Sequence, residues 1–69
     1  MEYKERLEAI IESCPDMPIK QAQSVATFCS MGWEWDGIGA DNSVNIKREP
    51  MNDYTEMAYI REDGAFRYA

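Results

Sequence analysis

The chain contains no histidine. This removes Ser-His-Asp and Cys-His nucleophile arrangements and the commonest general base. Cysteine is nearly absent: Cys14 and Cys29 are the only two, and their separation is neither a CxxC pair nor a zinc-ligand pattern. Basic residues are few, with 7 Lys+Arg against 13 Asp+Glu and a net charge of −6. A surface of that sign repels phosphate backbones and anionic membranes, so neither direct nucleic-acid binding nor membrane binding is expected. Nothing in the chain approaches the ~20 apolar residues that span a bilayer. The opening Met1-Glu2-Tyr3-Lys4-Glu5-Arg6 has neither the basic start nor the apolar stretch of a signal peptide. These absences predict a soluble, cytoplasmic protein with free thiols.

What is present suffices for one small fold. The chain has 69 residues, 45% hydrophobic and 12% aromatic. That is enough apolar material to fold, and it predicts a single domain over 1–69 with a small core. There is no internal repeat and no low-complexity segment.

Residues 2–14 read as a helix. Tyr3, Leu7, Ile10, Ile11 and Cys14 fall on one stripe at about 100° per residue. Glu2, Glu5, Glu8 and Glu12 fall on the opposite side. Glu2–Arg6 and Lys4–Glu8 are i,i+4 pairs worth roughly 0.3 kcal/mol each. Pro15 stops this helix. A second helix is expected from about Pro18 to Met31, ended by Gly32. Its apolar stripe is Ile19, Ala22, Val25, Ala26 and Cys29. Lys20 is its only charge, and Gln21, Gln23, Ser24, Thr27 and Ser30 form a neutral polar face. The short link makes the two helices an antiparallel hairpin. That geometry sets Cys29 about 15 Å along the helix from the level of Cys14. A disulfide needs Cα atoms within ~7 Å, so none is expected.

After Gly32 the pattern changes to alternation. Residues 33–36 and 43–47 read as strands, with turn chemistry over 37–42 and a break at 50–53. Strands over 55–61 and 65–68 flank Asp63-Gly64, a two-residue hairpin signal. That turn sets Tyr59 opposite Tyr68 and Arg61 opposite Phe66. Met57, Tyr59, Arg61, Phe66 and Tyr68 are then the expected core side. A competing reading makes 50–61 a third helix starting at Pro50. The favoured sketch is an α+β fold: an N-terminal helical hairpin packed on a small antiparallel sheet of three to four strands.

Several candidate sites follow. Glu34, Asp36 and Asp41 surround Gly37–Gly39, where Mg²⁺ has room to sit loosely. The stretch from Asp36 to Asn45 does not follow a calcium-loop spacing, so a solvated acidic loop is expected, with no metal and no cofactor. A metal-dependent enzyme built on these three is the distant alternative. Gly37-Ile38-Gly39 lacks the third glycine of a phosphate cradle. Gln21, Gln23, Ser24 and Thr27 resemble base-reading side chains, but only Lys20 stands ready to hold a phosphate.

The remaining hints point to a protein partner. Two Trp, two Phe and four Tyr exceed what a small core needs, and aromatics anchor interfaces. The neutral face of the second helix, edged by Phe28 and Met31, has the charge depletion of an interface core. It reads equally as a helix sandwiched within the fold. The sketched contact is anchored by Phe28, Met31 and either Trp33 or Trp35. The carboxylates Glu5, Glu8 and Glu12 steer it toward a basic surface. The expected function is non-enzymatic binding of another macromolecule. Short, acidic, motif-free chains are typical of phage and mobile-element inhibitors of host nucleic-acid-binding machinery, of the anti-CRISPR or anti-restriction kind. This rests on class alone. The alternative is a small structural or regulatory subunit, including a homodimer through the second helix.

Overall fold

The structure, a computed structural model, describes residues 2–69. Two helices precede four strands: α1 (Tyr3–Ser13), α2 (Ile19–Ser30), β1 (Glu34–Ile38), β2 (Val44–Met51), β3 (Tyr54–Ile60) and β4 (Phe66–Tyr68). The strands form one antiparallel sheet in the order β1-β2-β3-β4. This is the expected α+β arrangement. The helix ends fall one residue inside the expected spans, with Pro18 at the N-cap of α2 instead of its first turn. No helix among the described residues is long and apolar enough to cross a membrane.

α2 ends in a Schellman motif. The Trp33 N–H donates to the Phe28 carbonyl (3.1 Å) and the Gly32 N–H to the Cys29 carbonyl (3.3 Å). Gly32 sits at φ +102°, where a side chain is strained. The motif swings Trp33 back under the helix into the core.

That core is one layer deep. Val25 and Cys29 of α2 meet Trp33, Val44, Ile46, Ala58 and Ile60 across the inner face of the sheet. Ile46 and Ile60 are fully buried, each worth about 1.5–3 kcal/mol of transfer free energy. α1 lies outside this layer, against α2, and buries no residue completely. Leu7, Ile10 and Cys14 of its stripe are half-buried, while Tyr3 and Ile11 remain largely exposed.

The sheet corrects three expectations. First, β1 extends through Gly37 and Ile38, which were expected in a turn. Trp35 pairs with Ile46 and Ile38 with Val44, so Asp36 and Gly37 together face Asn45 in a bulge. Second, β2 runs through Pro50 to Met51, where a break was expected; β3 follows the favoured strand reading and not the competing helix over 50–61. Beyond Lys47, β2 has no β1 partner, and the β2–β3 register is irregular between Arg48 and Met51. A proline with no N–H is tolerated at such a place.

Third, the 61–65 hairpin is one residue longer than expected. Gly64 N–H donates to Arg61 O (2.8 Å) and Arg61 N–H to Ala65 O (2.9 Å), with Gly64 at φ +88°. This is a three-residue loop ending in a left-handed glycine, not a two-residue turn on Asp63-Gly64. The pairs become Ile60–Phe66, Tyr59–Arg67 and Ala58–Tyr68. A one-residue slip exchanges the faces of β3 relative to β4. Ala58 and Ile60 therefore enter the core, while Met57, Tyr59 and Arg61 lie on the opposite face. Phe66 and Tyr68 stay on the inner side as expected.

Candidate functional site

The neutral face of α2 divides in two. Gln21 is buried and its amide donates to Asn42 O (2.8 Å) and Ile60 O (3.0 Å). Ser24 donates to Gly64 O (2.8 Å). These two polar side chains fasten the helix to the sheet loops, so they are not free to read a base or meet a partner. Gln23, Thr27 and Ser30 are exposed, and the two hydroxyls bond back to helix carbonyls, Thr27 to Gln23 and Ser30 to Thr27. Such back-bonding keeps them neutral and quiet.

The aromatic surplus is gathered at the end of α2. Phe28 stacks on Phe66 at 4.4 Å between ring centroids. Trp33 and Tyr68 meet Phe66 edge-on at 5.6 and 5.0 Å. Arg48 lies 4.6 Å over the Trp33 ring and donates to Glu56 at 2.8 Å. Burial falls along β2 and β3 from the Val44–Ile60 end toward Met51 and Tyr54, because α2 covers only the first half of the inner face. The stack therefore surfaces at its outer end: Tyr68 is 61% exposed, as is Met31 at the α2 C-terminus.

The two tryptophans part company. Trp33 is 3% exposed and belongs to the core, which removes it as a surface anchor. Trp35 is 38% exposed. It lines an open groove of about 580 Å³ with Arg6, Ala9 and Ile10 of α1. Cys29 lies at the floor of that groove, and burial pushes its thiol pKa up despite the nearby Arg6. Cys14 is the more accessible of the two free thiols.

Glu5, Glu8 and Glu12 are all exposed on α1. The start of α1 lies beside the end of α2, as the shared groove of Arg6 with Cys29 and Gly32 requires. The carboxylates of Glu34, Asp36 and Asp41 do not converge. Asp36 reaches Lys47 at 3.8 Å. Asp41 accepts the Ser43 N–H at 3.1 Å, and the Ser43 backbone and hydroxyl hold its pKa below the usual aspartate value. Among the described residues no three His, Cys, Asp or Glu side chains are gathered to hold a metal ion.

The chain matches no protein-family model, no curated protein and no solved structure. Sequence reasoning placed Tyr68 in the core, and no short-range signal marks it as exposed. Its exposure depends on where α2 stops over the sheet.

Proposed function

We propose that this protein acts by binding a protein partner at the end of the molecule where α2 stops. One observation carries the reading: an aromatic stack, Phe28–Phe66–Tyr68, emerges into solvent beside an exposed Met31. Methionine and aromatic side chains supply adaptable contact area, and interfaces concentrate their binding energy on such anchors. The exposed carboxylates Glu5 and Glu8 lie on the half of α1 nearer this end, with Glu12 further along the helix, and favour a basic partner. Occluding the basic surface of a nucleic-acid-binding protein in the cytoplasm is the mechanism these features support best. An inhibitor of the phage or mobile-element kind works in this way.

The test is capture of partners from cell lysate by the tagged protein at low and high salt. Three forms are compared: wild type, Glu5→Lys/Glu8→Lys and Met31→Asp. All three sites are exposed, and circular dichroism verifies that each variant keeps the fold. The expected result is a basic protein retained by the wild type and lost by both variants, with salt weakening the charge-dependent part. Equal capture by all three forms overturns the reading.

A further inference from the structure

The helices cover one face of the sheet and leave the other without a layer. On that open face the charge shifts from acid to base across the sheet: Glu34 and Asp36 on β1, Lys47 on β2 reaching Asp36 at 3.8 Å, Arg61 just after β3 and Arg67 on β4. The register sets Tyr59 opposite both Asn45 and Arg67, and the bulge sets Asp36 against Asn45. One row across the sheet therefore runs Asp36, Asn45, Tyr59, Arg67: acid, amide, phenol, base.

Such a row is complementary to itself. A second copy turned by a half-rotation about an axis parallel to the strands, between β2 and β3, lays its β4 over β1. Asp36 then meets the second copy's Arg67, and the same contact repeats at the other end. A half-rotation about the perpendicular in-plane axis sets β1 on β1, acid against acid. Charge thus selects one of the two face-to-face arrangements. Packed sheets cross at about 30°, and the length of an arginine spans the offset this gives at the end of a row.

The sheet edges are poor alternatives. β1 is bulged and carries two carboxylates, and β4 has three residues. Both are recognised guards against strand addition. Arg67 by contrast is exposed, with one hydrogen bond, from its Nη1 to the neighbouring Phe66 carbonyl. Met57, 50% exposed, and the half-buried Tyr59 supply the apolar centre.

We infer that the open face of the sheet is the interface of a two-fold homodimer held by reciprocal Asp36–Arg67 pairs around Tyr59 and Met57. The face measures about 19 by 17 Å from strand spacing and rise. Two copies cover a footprint of roughly 650 Å² in total, below the usual range of stable specific interfaces, so the dimer is weak and concentration-dependent. It leaves the α2 end free for the partner proposed above.

Sedimentation equilibrium from micromolar to millimolar protein tests this. The wild type is expected to rise from the 8.0 kDa of one chain toward twice that mass, and added salt lowers the association. Arg67→Glu stays at one chain mass, as does Asp36→Arg. Asp36→Arg combined with Arg67→Asp regains association, because the pair is restored with its signs exchanged. Circular dichroism verifies that each variant folds; if Asp36→Arg does not, Arg67→Glu decides alone. A wild type that stays at one chain mass at millimolar concentration overturns the inference. So does an Arg67→Glu variant that associates like the wild type, or a folded double variant that shows no recovery.

Discussion

The Gln21 amide donates to the Ile60 carbonyl at 3.0 Å and joins α2 to β3 across 39 positions of the chain. The same nitrogen donates to Asn42 O at 2.8 Å in the β1–β2 turn. One side chain thereby satisfies the buried Ile60 carbonyl and a second carbonyl in an exposed turn. Gln21→Ala removes both bonds and leaves the Ile60 acceptor dry, a loss of about 1–3 kcal/mol. Urea unfolding is expected to show a lower midpoint with an unchanged slope. A midpoint equal to wild type shows that water replaces the amide.

Gly64 lies against α2 at the bond from Ser24. A Cβ there would stand 3.0 Å from the Lys20 carbonyl oxygen and 3.0 Å from Ser24 Oγ, on a residue at φ +88°. Gly32, at φ +102°, has nothing within 4 Å of the same position. Gly32→Ala therefore costs only the left-handed strain, about 1–2 kcal/mol, whereas Gly64→Ala adds a collision with helix backbone. Thermal melts are expected to rank Gly64→Ala well below Gly32→Ala. Equal losses refute the close approach.

The two thiols differ in reach. Burial raises the Cys29 pKa and keeps the thiol protonated, which makes it a slow nucleophile. Cys14 is half-buried at the end of α1. Ellman's reagent is expected to modify the native protein at Cys14 first, and Cys29 on a slower phase that urea accelerates. In Cys14→Ser, fast labelling disappears. Fast labelling that persists in that variant places Cys29 at the surface.

Asp41 caps the turn before β2. Hydrogen bonds from Ser43 favour its ionised form and lower its pKa in the folded state. The carboxylate therefore stabilises the fold at pH above the ordinary aspartate value, and this contribution fades as pH falls through the lower folded value. An NMR titration of the side-chain carboxyl is expected to place Asp41 below the ordinary aspartate value. Titration at the ordinary value removes the Ser43 bond from solution.

Much of the fold was legible in local pattern. The α1 stripe, the α2 stripe and the stop at Gly32 follow from helical spacing and a glycine-ended helix. Alternation at Trp33–Asp36 and Ser43–Lys47 marked two strands. The site was legible only in part. Phe28 and Met31 sit at the edge of α2 as expected, and Glu5, Glu8 and Glu12 are exposed as their side of the helix requires. Trp33 and Trp35 share a parity in sequence and border the same groove, yet Trp33 is buried in the core and Trp35 is exposed beside α1. Gln21 and Gln23 are identical in type and adjacent in the pattern. Only the position of Ile60 and Asn42 decides that Gln21 is a structural clamp.

The sequence by itself determined the two helices, their order before the strands and the acidic sign of α1, while leaving 50–61 open between strand and helix. These depend on interactions within a few residues: periodicity, caps, prolines and glycines. Tertiary structure alone decided the hairpin register, and with it which face of β3 is core. Asp63-Gly64 suits both a two-residue turn and the end of a three-residue loop. Burying Ala58 and Ile60 against α2 selects the longer loop, because the shorter one would turn the Tyr59 hydroxyl and Arg61 guanidinium into a dry core.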